Sequence, residues 1–121
     1  MAQANANLQV EAGRWQPVCA LSDLVAQSGV VAWLDGQQVA LFYLPDQSPP
    51  VYAVDNRDPQ SGANVIGRGI VGRLKDELVV AAPLYKQHFS LLTGRCLEDP
   101  SQALATWAVR LHGDEVQILL G

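Results

Sequence analysis

From Pro17 to Gly113 the chain is interrupted at short intervals by proline, glycine, Asn and Asp. The pieces between are rich in Val, Leu and aromatic residues and carry stretches of two-residue alternation. A helix of ordinary length finds little room in such a pattern, which predicts an all-β fold of short strands. Its firmest element is a hairpin of residues 30–34 and 37–44 about Asp35-Gly36, a dipeptide suited to the positive φ angles of a two-residue turn. Further strands are expected over 15–20 and 51–56, with a hairpin of 70–74 and 78–82 about Lys75-Asp76-Glu77. A small hairpin of 89–91 and 95–97 turns at Leu92-Thr93-Gly94, and a closing pair, 106–111 and 115–120, turns at His112-Gly113-Asp114. In that pair Trp107, Val109, Leu111, Val116, Ile118 and Leu120 fall on the inward face. Only residues 22–27 suggest helix: one short turn, capped by Ser22 or Asp23 and ended before Gly29.

With 121 residues the chain suits one domain, and 49% hydrophobic against 17% charged residues is enough apolar material for a core. Residues 1–13 carry no strand pattern and read as a flexible tail, leaving 14–121 as a single β domain, a sandwich or a partly open barrel. The tail shows neither the basic start nor the apolar run of a secretory signal, and no apolar stretch approaches the roughly 18 residues of a membrane span. A cytoplasmic protein without a membrane partner is therefore expected. The net charge of -4 has the wrong sign for a counterion-release grip on nucleic acid. Cys19 and Cys96 follow no disulfide pattern and read as small buried hydrophobes in a reducing compartment.

Chemistry narrows by elimination. There is no phosphate-binding loop, and Gly67, Gly69 and Gly72 do not form a dinucleotide fingerprint. His88 and His112 stand in expected turns and read as exposed bystanders rather than as bases beside a nucleophile. Asp55 and Asp58 flank Arg57, and Asx residues in a loop bond neighbouring amides more readily than they form an acid-base dyad. Two cysteines and two histidines are the ligand set of a Rieske [2Fe-2S] centre, but here they are scattered, with no close Cys-His pair. What remains is a pair of irregular loops. Residues 57–69 are too long for a hairpin connection, and 83–88 form the second loop.

These loops are similar to the two ligand loops of Rieske proteins. The first, Asp55-Asn56-Arg57-Asp58-Pro59-Gln60-Ser61-Gly62-Ala63-Asn64-Val65, resembles D-N-x-C-P-H-x-G-x-x-L, with Asp58 at the cysteine position and Gln60 at the histidine position. The second, Ala82-Pro83-Leu84-Tyr85-Lys86-Gln87-His88-Phe89-Ser90-Leu91-Leu92-Thr93-Gly94, resembles C-P-x-H-x-x-x-F-x-x-x-T-G, with Ala82 and Tyr85 at the ligand positions. The frame survives while all four ligand positions differ. Within this group the chain most resembles the small subunit of assimilatory NAD(P)H-dependent nitrite reductase. The runs that carry the likeness are Asn56-Arg57-Asp58-Pro59, Gly62-Ala63-Asn64 and Arg68-Gly69-Ile70-Val71-Gly72.

The resemblance implies a Rieske-like fold of three stacked antiparallel sheets with both loops at one tip. It also implies an accessory role, without a cofactor or catalytic residue in this chain, beside a large subunit that carries FAD, an iron-sulfur cluster and siroheme and reduces nitrite to ammonium. Arg57, Arg68, Tyr85, Lys86, Gln87 and His88 form the expected partner-binding patch. In place of metal, Asp58 is expected to accept from loop amides or pair with Arg57 or Arg68, Tyr85 to pack across the vacated space, and Ala82 to fill in. The alternatives are a stand-alone β-domain interaction module and a Rieske-type electron carrier, or a mononuclear metal site on Asp58 and His88.

Overall fold

A computed structural model describes residues 14–120, so the expected tail over residues 1–13 lies outside the described residues. Among those described, the strands are β1 (Arg14–Ala20), β2 (Ser28–Leu34), β3 (Gln37–Tyr43), β4 (Val51–Asp55), β5 (Ile70–Leu74), β6 (Glu77–Ala81), β7 (His88–Ser90), β8 (Thr106–Trp107), β9 (Val109–His112) and β10 (Glu115–Leu120). They form three antiparallel sheets, ordered β9-β10-β1, β2-β3-β4-β8 and β5-β6-β7. This is the all-β architecture that the punctuated sequence predicts.

The central strands of the middle sheet, β3 and β4, are buried on both faces. From β3 and β4, Ala40, Phe42, Tyr52 and Val54 enter one core with Val80 and Phe89 of the β5-β6-β7 sheet. Their neighbours Val39, Leu41, Val51 and Ala53 enter a second core with Val116 and Ile118 of β10. Successive side chains of a strand point to opposite faces, so a strand between two cores must be apolar at every position. That is why residues 39–42 read as an unbroken run, Val-Ala-Leu-Phe, rather than as an alternation.

Several local expectations shift. The helical turn is a 3₁₀ turn over Leu21–Asp23, and Asp23 does not cap it from in front but reaches back, its carboxylate accepting the Ala20 N–H at 2.9 Å. The chain then joins the sheet early: Gln27 N–H donates to the Tyr43 carbonyl at 2.7 Å, and Gly29 lies inside β2 rather than ending a helix. The second hairpin turns on Lys75-Asp76 alone, with φ of 52° and 65°, so Glu77 belongs to β6. Residues 95–97 form no strand and are held by single bridges, Phe89 to Cys96 and Arg95 to Ala103. A second 3₁₀ turn, Ile66–Arg68, appears where only loop was expected.

Residues 106–111 are divided between two sheets: β8 pairs with β4 through Ala53 and Val54, while β9 pairs with β10. Trp107 and Val109 pack against the second core, whereas Leu111, nearer the end of the edge strand β9, is 36% exposed rather than buried as expected. At Gly94, φ is +80° and a Cβ would stand 1.9 Å from the Leu104 carbonyl oxygen, so the Thr93-Gly94 turn has no room for a side chain.

The register positions the two loops. Ile70 opens β5 and pairs with Ala81, which closes β6; Ala81 pairs in turn with His88, which opens β7. Residues 56–69 therefore arrive, and residues 82–87 depart and return, at the same end of the β5-β6-β7 sheet.

Candidate functional site

The first loop is organised by two buried polar side chains. Asn56 donates through Nδ2 to Gln38 Oε1 at 2.8 Å and accepts the Gly67 N–H on Oδ1 at 2.7 Å, which ties the start of the loop to its end. Asp58 is fully buried at the centre: its N–H donates to the Ala63 carbonyl at 2.8 Å, and its carbonyl accepts the Gly62 N–H at 2.7 Å. Its Oδ1 accepts the Gln60 N–H at 2.8 Å, while its buried Oδ2 has no partner among the described residues. The amide-acceptor expectation for Asp58 matches this geometry. The ion pair with Arg57 or Arg68 does not form, because both guanidinium side chains lie at the surface and the carboxylate is turned into the loop. Asp55 likewise accepts the Arg57 N–H at 3.0 Å and has the local turn role expected of an Asx residue.

The second loop is small and closed on itself. Ala82 N–H donates to the Gln87 carbonyl at 2.8 Å and its carbonyl accepts the Lys86 N–H at 3.1 Å, with Lys86 at φ 63°. Ala82 itself is buried in the first core beside Phe89, as a filling residue should be. Tyr85 is the correction. The residue is 60% exposed, because closing the loop through Ala82, Lys86 and Gln87 pushes Leu84, Tyr85 and Lys86 outward together.

The two loops are joined by amides instead. Gln102 Nε2 donates to Gln60 Oε1 at 2.6 Å, and Gln87 Nε2 donates to Gln102 Oε1 at 3.3 Å. Gln87 Oε1 is buried without a partner among the described residues. No motif marks Gln102 in the sequence, 42 positions from Gln60, so nothing in the chain pattern announces this bridge.

His88 is not a bystander. Its Nδ1 lies 2.6 Å from Glu98 Oε2 and its backbone N–H donates to Glu98 Oε1 at 2.8 Å. Burial pushes the Glu98 carboxyl up, but the hydrogen bonds from the His88 backbone and ring outweigh it and leave the group below its ordinary value. Cys96 is fully buried, as expected, with Sγ 3.6 Å from Glu98 Oε1, and burial raises its thiol pKa. Cys19 is only half-buried; burial and then the Asp23 carboxylate raise its thiol. Both thiols therefore stay protonated at neutral pH and are poor nucleophiles. His112 is exposed on the far sheet.

A Rieske cluster takes two thiolates and two imidazoles. The corresponding positions offer Asp58 with one oxygen bonded in the loop, Gln60 with its amide oxygen bonded to Gln102, Ala82 with no donor, and Tyr85 facing outward. This donor set does not fit a [2Fe-2S] cluster. Among the described residues no group of three or more His, Cys, Asp or Glu side chains is placed to hold a metal ion, and His88 Nδ1 is committed to Glu98 rather than to a site shared with Asp58. Of the six docking candidates, Arg57, Arg68, Tyr85 and Lys86 are exposed, while Gln87 and His88 are half-buried and bonded within the tip. Ile70 and Leu84, 75% and 54% exposed, stand at the same end of the sheet and are two apolar surface residues that the loop motifs do not mark.

Comparison with known proteins agrees with this geometry. Residues 14–119 match the family profile described as the Rieske-like [2Fe-2S] domain. The chain is 38% identical over 105 residues to the nitrite reductase (NADH) small subunit of Salmonella typhimurium, covering 87% of this chain and 96% of that one. The solution structure of the nitrite reductase [NAD(P)H] small subunit from Erwinia carotovora is 41% identical and superposes with a TM-score of 0.73, over 88% of this chain and 82% of that one. A 104-residue match at 40% identity, 86% of this chain, lies within the nitrite reductase [NAD(P)H] large subunit of Klebsiella oxytoca and spans 11% of that much longer protein.

Proposed function

The chain belongs to the Rieske-like [2Fe-2S] domain family and, within it, to the nitrite reductase small subunits, and from that membership we propose that it acts by docking to the catalytic large subunit. As a small subunit it is part of an oxidoreductase that uses NAD(P)H to reduce nitrite to ammonium. The observation that carries the docking reading is a tip whose frame is intact while Asp58, Gln60, Ala82 and Tyr85 stand at the ligand positions, its loops joined through Gln60, Gln102 and Gln87. A tip held in shape by side-chain bonds can be recognised by a partner without carrying electrons.

A large-subunit partner is supported by the Klebsiella protein, in which a similar domain is built into the large-subunit chain itself. Covalent linkage of that kind raises the effective concentration of two surfaces that would otherwise meet by diffusion. On this reading FAD, the iron-sulfur cluster and siroheme belong to the large subunit, and residues 14–121 work as one domain. Arg57, Arg68, Tyr85 and Lys86 make the contact, with Gln87 and His88 shaping the surface from behind. The setting is cytoplasmic, with neither nucleic acid nor membrane as partner; the net charge of -4 argues against nucleic acid, and no helix among the described residues is long and apolar enough to cross a membrane.

Three measurements test the proposal. A tagged chain should co-purify the large subunit, and deleting the chain should lower either nitrite reduction or large-subunit abundance, assayed separately. Full activity and abundance in the deletion would refute the accessory role. Stoichiometric iron and acid-labile sulfide in the anaerobically purified chain, with visible charge-transfer bands, would return it to the electron carriers.

A further inference from the structure

The charge of this acidic chain is unevenly distributed. Residues 57–97, which hold both loops and the β5-β6-β7 sheet, contain six of the eight Lys and Arg but three of the twelve Asp and Glu. One of those three is Asp58, which is fully buried. Within the loops Arg57, Arg68 and Lys86 are exposed, and residues 56–70 and 82–88 present no exposed carboxylate. Two acids flank these loops: Asp55, half-buried, accepts the Arg57 N–H, and Glu98 is bonded to His88.

The same end of the sheet also carries apolar surface. Ile70, Leu84 and Tyr85 are 75%, 54% and 60% exposed, and the pairing of Ile70 with Ala81 sets it beside the loop that carries the other two. Large apolar side chains that share one end of a sheet with exposed cations have the composition of a docking patch.

We infer that this tip recognises an acidic surface with an apolar centre on the large subunit. The inference rests on the docking reading above and adds the chemistry of what docks. Exposed charges of this kind steer encounter and make binding depend on salt, since screening at physiological ionic strength acts over about 8 Å, while the apolar centre holds the complex at any salt.

The test is a titration of the purified full chain against purified large subunit at about 50 and about 500 mM NaCl. Wild type is compared with the double variant R68E/K86E, with Leu84→Ser, and with Asp46→Lys, an exposed loop acid away from the tip. All four positions are exposed, and circular dichroism melts verify that each variant folds. The double reversal should weaken binding about tenfold at low salt, with the difference shrinking at high salt. Leu84→Ser should weaken it at both, and Asp46→Lys should leave it within about twofold. A double reversal that binds as tightly as wild type, or more tightly, overturns the inference while leaving the docking reading intact. Salt-dependent self-association of the chain that is lost in the double variant, with no effect on large-subunit binding, would assign the tip to a second copy and also overturn it. Failure of wild type to bind the large subunit at either salt overturns the docking reading itself.

Discussion

Asp58 stands where a cysteine would hold iron, yet its chemistry in this chain is that of an Asx turn: one carboxylate oxygen gathers the Gln60 N–H while its backbone closes on Gly62 and Ala63. Replacing it by alanine leaves the Gln60 amide without its acceptor and opens the centre of the loop, so Asp58→Ala should lose about 1 to 3 kcal/mol in a urea melt. Tyr85→Ala should lose less than about 0.5 kcal/mol, because most of the residue already lies in water. A reversed order, with the tyrosine costing more, would mean that the ring packs across the loops after all. The difference between the two residues marks what a sequence can and cannot convey. An Asx residue beside Pro59 and ahead of Gly62 announces a local turn, because its partners are its chain neighbours. Whether Tyr85 points in or out depends on how a short loop closes, and Lys86 at a positive φ gives no warning of itself in the residue types.

Among the elements, the same division between local and distant partners holds. Asp35-Gly36 placed the first hairpin correctly, because a two-residue turn carries its own geometry, and Lys75-Asp76 missed only by the width of one residue, since Glu77 can serve turn or strand equally well. The division of 106–111 between two sheets could not be read, because a strand's pattern reports which positions are buried and not which neighbour it pairs with. Gln102 is the sharpest instance: it sits in the irregular segment between β7 and β8 and bonds to both loops at once. Gln102→Ala should therefore lower stability by about 1 kcal/mol, and amide hydrogen exchange should accelerate in residues 58–63 and 82–87 together. Faster exchange confined to one loop would show that the amides do not couple them.

For the molecule as a whole, the docking proposal has the two cores and this amide bridge, rather than a metal, hold the fold. EDTA should leave the melting temperature unchanged, whereas in a domain held by its metal a chelator removes folding free energy along with the ion. A drop in melting temperature with EDTA would refute the substitution of side-chain bonds for a cluster.

Acid is a different matter, because Glu98 belongs to the segment that carries Gln102. Its carboxyl is lowered in the fold, so its ionised form is favoured there over the unfolded chain. The stability it contributes is fully present above the unfolded carboxylate value, near 4.3, and disappears as pH falls through the lower folded value. Asp99 shifts the same way through the Ser101 hydroxyl and N–H, on the same segment. Glu98 is half exposed, so solvent screens the effect and only part of the acid slope is its own. The melting temperature should fall as pH drops from about 5 toward 3, and Glu98→Gln should start lower at pH 7 and fall less steeply. Hydrogen exchange under the same titration should show the 95–104 segment and the two loops opening before β3 and β4, the central strands of the middle sheet, which are buried between two cores. A Glu98→Gln profile parallel to wild type would assign the acid sensitivity to carboxylates elsewhere and remove the His88–Glu98 pair from the account of how the tip is held.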